Sequence, residues 1–399
     1  MTGVRTALII GGGIAGPVTA LALRKAGIEA TVHEAYPSSA QGVGGTLMVA
    51  PNGLDALRII GADEAVRTIG QPITSMVMAN GRGKPVGEFP CLPGMPPSLL
   101  IWRSELCRVL HQHAAAHGIS IEYGKRLVGI EQTAAGISAR FSDGSSASAD
   151  LLIGADGIRS TVRALIDPQA PGPQHTGLLG FGGRAMGRTA IGKAGAMHFV
   201  HGKRAFLGHW TEPDGSTIWF GNLPHPAPLT AAEARAVPAA QWLETLREVY
   251  RDDVPGGALL AHTSPEQLLI TGAGEILPPV PHWHGGRMVL VGDAAHAPSS
   301  SSGQGASLAM ESAIQLARCL RDLPDVATAF DVYEQLRRPR VEKVAADAAK
   351  TNDRKAAGPL ARTLFSLLMP IAMKTFFTPE KMFGSLHRYR IAWDDVVKS

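Results

Sequence analysis

Cysteine is scarce in this 399-residue chain: Cys91, Cys107 and Cys319 are the whole complement. An odd number at wide spacing, with no C-x-x-C pair, excludes a disulfide framework and a cysteine-built zinc site, and it fits a reducing cytoplasm. Excess charge is scarce too. The 38 basic and 34 acidic residues leave a net +4, too weak a balance for a nucleic-acid partner. The densest basic run, Arg337-Arg338-Pro339-Arg340, precedes Glu342 and reads as a solvated helix face. Long apolar runs suited to a membrane are missing. Ala7 to Leu23 carries no charge but for its glycines and Pro17 reads poorly as a spanning helix. Leu364 to Met373 is interrupted by Pro370 and is too short to span. The hydrolytic signatures HExxH and GxSxG are absent, and His282 and His284, flanking Trp283, have no third ligand nearby. The length suggests two or three domains with a sizeable core.

What is present begins at the N-terminus. Ala7 to Ile10 is a continuous apolar run of the kind found in central parallel strands. Gly11-x-Gly13-x-x-Gly16 makes a turn, with Ile14 and Ala15 inside it, and a helix runs on to a stop at Gly27. A second strand, Glu29 to His33, ends at Glu34. Each glycine has a physical task. Gly11 permits the tight turn, Gly13 lets a pyrophosphate approach the backbone, and Gly16 lets helix and strand pack closely. The helix N-terminus then faces the phosphate charge, and Glu34 accepts ribose hydroxyls. A carboxylate at position 34 suits FAD or NAD better than NADP at this site. A glycine-rich structural turn is the alternative.

Two further stretches narrow this. "ADLLIGADGIRSTVR" places Asp156-Gly157 between a strand and a helix starting near Ser160. "RMVLVGDAAHAPSSSSGQGASLAMESAIQLARCL" places Gly292-Asp293 after a buried strand, then a small-residue loop, then a long helix. Taken one at a time, Asp293 reads equally as a helix cap and Asp156 as a turn residue. GxGxxG, DG and GD in this order resemble the single-component FAD-dependent monooxygenases of the para-hydroxybenzoate hydroxylase type, over roughly Thr6 to Leu320.

The resemblance implies an α/β fold. A Rossmann-like FAD-binding domain would comprise residues 1–70, 100–167 and 283–325. A second, mainly antiparallel β domain for substrate would comprise 71–99 and 168–282, and C-terminal helices 326–399. It also implies roles. Gly11, Gly13, Gly16 and Glu34 would hold the ADP half of FAD. Arg103 would lie near the phosphate and ribityl region, and the Leu127 backbone would meet the adenine. Asp156 and Gly157 would serve both FAD and NAD(P)H, and Asp293, after Gly292, would take a ribityl hydroxyl. Gly44, Gly45 and Thr46 would pass beside the isoalloxazine, as would the loop from Pro298 through Gly303, Gln304, Gly305 and Ala306, whose helix aims its N–H groups at the pyrimidine edge. Ser300 stands where members usually carry Pro, and Met48 where tetracycline-inactivating relatives carry Asp. The Trp-x-Trp-x-Ile-Pro signature of flavin halogenases is absent.

The middle region, with "MHFVHGKRAFLGHW" and "STIWFGNL", reads as an antiparallel meander, followed by a helix from Ala231 to Tyr250. Candidates to face the substrate are Met48, Phe181, Arg184, Met186, His198, Trp210, Trp219, Phe220 and Asn222, each with a core reading beside it. By the period of two, Trp219 and Phe220 face opposite ways, so only one of them lines a pocket. Met369, Phe376 and Phe377 are further candidates, and His198 or His209 a candidate base for a phenol.

The implied reaction is hydroxylation of an aromatic or polycyclic small molecule through a flavin hydroperoxide, with NADH or NADPH as reductant and molecular oxygen as co-substrate. Epoxidation, Baeyer–Villiger insertion, antibiotic inactivation and a non-oxygenating flavin reductase remain alternatives on the same scaffold. The expected partners are the small substrate and no nucleic acid, in a cytoplasmic monomer or homodimer.

Overall fold

The computed structural model describes residues 3–38, 44–186, 191–356 and 378–398. Four sheets organise it. The first has six strands, with Thr6–Ile10 near the centre, paired in parallel with Leu151–Gly154 on one side and Glu29–His33 on the other. Met288–Leu290 and Ser120–Glu122 extend it in parallel, and the short His284–Gly285 strand closes one edge antiparallel. Leu8, Ile9, Ile10, Leu151, Leu152, Ile153, Val289 and Leu290 are all buried, as strands covered on both faces must be. This order puts the carboxyl ends of Thr6–Ile10, Leu151–Gly154 and Met288–Leu290 side by side. All three sequence motifs leave the sheet at that edge.

The second large sheet has seven strands, in the order Leu268–Ile276, Gln174–Ala185, Thr217–Pro224, Phe206–Thr211, Ala196–His201, Ser75–Asn80, Pro85–Pro90. The meander is antiparallel throughout; only Ser75–Asn80 joins its neighbour in parallel. The pleat sorts the side chains. The outer face carries Phe181, Leu207 and Trp219 into a core shared with Trp242, Leu243, Leu246, Leu259 and Leu260 from two helices. Those helices are Ala239–Tyr250 and Gly256–Ala261; the single helix expected from Ala231 to Tyr250 is interrupted at Val237-Pro238, after Ala231–Ala236, since proline cannot continue it. The inner face carries Met197, Trp210, Ile218, Phe199 and Phe220 against Ile73 and Leu100. These last two belong to a small sheet, Thr46–Val49, Ser98–Trp102 and Gln71–Ile73, that lies between the two large ones.

Helix Gly305–Asp322 is buried nearly all round, from Ser307 to Ala317, so it is a central strut and not a surface helix. Helix Val326–Ala356 packs beside it, and the chain returns to lay Trp393 and Val397 on the same core. Arg321 stacks over Trp393 at 4.6 Å, and Arg390 pairs with Asp55 at 3.3 Å. Two arginines of the basic run expected on a solvated face are instead internal. Arg337 is 0% and Arg340 12% exposed at the side chain, and both contact Glu311, itself 1% exposed, at 2.7 and 2.8 Å. The carboxylate recruits two guanidinium groups because a charge so deep must be paired. Burial opposes ionisation of Glu311, but Arg337 and Arg340 outweigh it and hold its carboxyl below the usual range. Removing one member of such a group leaves uncompensated buried charge. Glu311→Leu therefore lowers unfolding free energy by about 3–5 kcal/mol in urea titrations; a loss under about 1 kcal/mol would mean that water screens the cluster.

Candidate active site

The turn after the first strand is built around its glycines. Gly11 has φ +106°, and a Cβ there would collide with the Ala155 carbonyl of the neighbouring strand. A Cβ at Gly16 would collide with the Gly11 carbonyl. Gly13 differs: its Cβ would meet nothing closer than Arg103 Nη2 at 3.9 Å. The first two glycines are demanded by packing within the protein, the third by nothing inside it. Helix Ala15–Lys25 has no side-chain cap, so its first N–H groups are free for an anion. Glu34 accepts the Gly12 N–H at 2.6 Å and the Tyr36 N–H at 2.9 Å. On the opposite side His111 Nε2 donates to the Gly12 carbonyl at 2.5 Å, and its Nδ1 accepts from the Tyr123 hydroxyl at 2.9 Å. The carbonyl fixes that tautomer, since it can only accept. His111 had no motif to reveal it; only the helix that positions it does.

The other two motifs meet this turn. Asp156 accepts from the Ser160 hydroxyl at 2.5 Å and from the Thr161 and Val162 N–H groups at 2.7 and 3.1 Å. It therefore caps helix Thr161–Ile166, and burial pushes its carboxyl above the usual range. Arg163 binds the two motifs together: it donates to the Ile158 carbonyl at 2.7 Å and to the Ala294 carbonyl at 3.0 Å. Gly292, at φ +61°, is packed by Ala15 and Ala309. Asp293 lies beyond it with a solvent-accessible side chain. Accessibility and depth point in different directions for this residue. Depth governs its titration, because protein surrounds the cleft at longer range. That surrounding raises the carboxyl to about 6, against the attraction of Arg103. His296, buried close by, is lowered to about 3 by burial and then by Arg337.

Arg103 lies against Gly44, reaches toward Gly13, and its amide donates to the Gly45 carbonyl at 3.1 Å. Pro298 leads into the loop at Ser300–Ser302, which ends in Gly303 at φ +60°, under the Met48 methyl. Gln304 then precedes helix Gly305–Asp322, which has no side-chain cap, leaving the amides of Gly305 and Ala306 free. The Gln304 side chain is fixed from below. Asn52 Nδ2 donates to Gln304 Oε1 at 3.0 Å and to Glu311 Oε1 at 2.6 Å, so the buried charge cluster holds the loop. Asn52 gave no sequence signal beyond following Pro51 at a helix start. Leu127 is a buried core residue at the start of its strand, and Gly157 has φ +78°.

On the substrate side the pleat corrects part of the expectation. Phe181, Trp219 and His198 lie on the outer face of the seven-stranded sheet, away from the small sheet. Phe181 packs on Trp242 at 5.1 Å, Trp219 donates to the Thr263 hydroxyl at 2.9 Å, and His198 stacks on His209 at 4.7 Å. Phe181 and Trp219 serve the second core, and the two histidines share their face of the sheet. Burial lowers His209 to about 3. Trp210, Phe220, Asn222 and Arg184 keep to the inner face, while Met48 belongs to the small sheet, opposite Leu100. Arg184 is paired with Glu212, and Asp214 lies 3.7 Å away. Met186 is exposed at the strand end. Met369, Phe376 and Phe377 lie outside the described residues. The Leu269 Cδ2 methyl links sheet and loop: it lies 3.2 Å from the Cβ position of Gly45 and 3.8 Å from that of Gly182.

A family model described as FAD binding domain matches residues 5–208 and 279–348, which take in all three motifs. The chain belongs to this family. The FAD-dependent urate hydroxylase of Klebsiella pneumoniae is 32% identical over 362 residues, 87% of this chain and 89% of that one. The aurachin C monooxygenase/isomerase of Stigmatella aurantiaca is 31% identical over 336 residues, 83% and 85% of the two chains. A crystal structure of Klebsiella pneumoniae HpxO with FAD and uric acid superposes with a TM-score of 0.84 at 26% identity, covering 97% of each chain. The protein is an FAD-dependent monooxygenase, of the kind that draws on NAD(P)H and oxygen. Its residues fit the cofactor: two uncapped helix ends, an unobstructed Gly13 and the accessible Asp293 converge at one sheet edge.

Two measurements check this site. Gly13→Val leaves the apoprotein's melting temperature close to wild type, since no protein atom crowds the position, while FAD retention on gel filtration falls at least tenfold. Equal retention would remove Gly13 from the cofactor contact. Asp293 is protonated in the fold and ionised in the unfolded chain between about 4 and about 6. Its contribution to stability is therefore full below the lower value and lost as pH rises through the upper one. Asp293→Asn removes that loss, so the apoprotein variant gains on wild type between about pH 4 and pH 7 in paired melts. Parallel curves would show an ordinary carboxyl.

Proposed function

We propose that this FAD-dependent monooxygenase oxygenates an aromatic or polycyclic small molecule held between the Gly44–Thr46 segment and the inner face of the seven-stranded sheet. The observation that carries the reading is the Leu269 methyl, which lies near the places where side chains on Gly45 and on Gly182 would begin, and so stands between the segment and the sheet. It brings the partly buried rings of Phe220 and Phe199 to the side on which an isoalloxazine would lie.

In this reading Gly11, Gly13, Ile14, Ala15, Gly16 and Glu34 hold the ADP half of FAD. Arg103 neutralises the phosphates, Leu127 meets the adenine, and Asp156 and Gly157 border the entry for NAD(P)H. Gly292 and Asp293 take the ribityl chain, while Pro298, Gly303, Gln304, Gly305 and Ala306 bring free amides to the ring's pyrimidine edge. When bound, the flavin supplies the oxygen-transfer chemistry; the protein orients the substrate and excludes water. The relatives named for urate and aurachin C support a flat heteroaromatic substrate. Three free cysteines, and no described helix long and apolar enough to cross a membrane, support action in the cytoplasm.

The test is NAD(P)H consumption by the FAD-loaded enzyme with a panel of phenols, aminobenzoates and fused heterocycles, with products weighed by mass spectrometry. A substrate that speeds consumption and gains one oxygen atom supports the reading. Consumption that no compound accelerates, with hydrogen peroxide as the sole product, favours a flavin reductase.

A further inference from the structure

Helix Arg103–Ala116 presents polar side chains to the glycine turn at a spacing of four residues, so that Arg103, Cys107 and His111 share one face. Arg103 Nη2 stands 3.9 Å from the Cβ position of Gly13, and His111 Nε2 reaches the Gly12 carbonyl at 2.5 Å. One helix thus meets both residues of the Gly12–Gly13 step. The peptide between them is trans. In a trans peptide the carbonyl and the N–H lie in one plane and point opposite ways, so whatever holds the Gly12 oxygen also aims the Gly13 hydrogen.

His111 holds that oxygen, so the Gly13 N–H points away from the histidine. The donors before it are already used: the Gly11 N–H goes to the His33 carbonyl at 2.8 Å and the Gly12 N–H to Glu34 at 2.6 Å. The Gly13 N–H makes no hydrogen bond among the described residues. The grip is backed from behind. The Tyr123 hydroxyl donates to His111 Nδ1 at 2.9 Å, which leaves the ring proton on Nε2, facing the carbonyl. Burial and then the Glu34 charge push the Tyr123 hydroxyl above its ordinary value, so it stays a donor. His111 is buried, and a lost partner there is costly because bulk water does not replace it.

We propose that His111, held by Tyr123, is a positioning residue for the cofactor's pyrophosphate: by fixing the Gly12 carbonyl it aims the Gly13 N–H at a phosphate oxygen. The proposal rests on the assignment of Gly13 to the ADP half of FAD. His111 acts through the peptide and touches no cofactor atom itself. Arg103, two turns earlier on the same helix, supplies the charge, and His111 supplies the direction.

The experiment uses the full-length holoenzyme with two readouts: FAD affinity, from recovery of flavin fluorescence on dilution, and the phosphorus NMR resonances of the bound pyrophosphate. His111→Leu raises the FAD Kd at least about tenfold, the worth of a hydrogen bond to a charged group. It also moves the phosphorus resonances toward those of free FAD, while the flavin absorption bands stay where wild type has them. His111→Gln places an amide N–H where Nε2 stood and restores both readouts. Tyr123→Phe raises the Kd about threefold, since Nδ1 loses its donor. A merely structural role would weaken the Leu and Gln variants alike and leave the phosphorus resonances of the FAD still bound unmoved. Either result overturns the proposal, as does a His111→Leu variant that holds FAD as wild type does. If His111→Leu does not fold, Tyr123→Phe decides, because it removes one hydroxyl and keeps the packing; unchanged affinity and resonances there overturn the proposal. Wild-type resonances identical to those of free FAD would overturn the Gly13 assignment and the proposal with it.

Discussion

Three charges buried at the centre of the molecule set the position of everything around the candidate cofactor site. Glu311 sits on the central helix, Arg337 and Arg340 on the helix beside it, and none has much access to water. A lone carboxylate there would be driven to protonate, and lone guanidinium groups would not be tolerated. Together they lock two helices in register. Through Asn52 they also fix Gln304, and with it the first free amides of the central helix. A specificity device in the core thus serves as the foundation of a loop.

The sheet edge shows how motif and packing depend on each other. Each motif occupies a strand end, and parallel pairing in register brings those ends together. Arg163 then ties the second motif to the third through carbonyl groups, a contact that depends on backbone position and not on side-chain identity. Such residues explain why the three motifs act as one surface although they are far apart in the chain.

Much of this was legible beforehand. Apolar runs beside glycine turns announced the parallel strands, and aromatic, β-rich stretches between turn residues announced the meander. The reason is that backbone periodicity and glycine geometry are local properties. What was hidden depended on partners distant in sequence. Phe181 and Trp219 looked like pocket residues because aromatic content says nothing about which face is inward; the helices that cover the outer face decide it. The Arg337–Arg340 run looked solvated because its partner Glu311 lies in another helix. Asn52 and His111 bear no motif and Arg163 only ends one, since their roles rest on one carbonyl or one amide placed by the fold.

The clamp on Gly12 has a consequence for how the cofactor arrives. The peptide is gripped at its N–H by Glu34 and at its carbonyl by His111, both side chains of the protein itself. A carboxylate offers about four lone-pair directions, so Glu34 can receive ribose hydroxyls while keeping its backbone donors. The entropy of ordering this turn is lost during folding, not during association. In the proposed arrangement the nucleotide half of FAD therefore meets a rigid cradle, and conformational adjustment on binding is left to the parts that touch the ring.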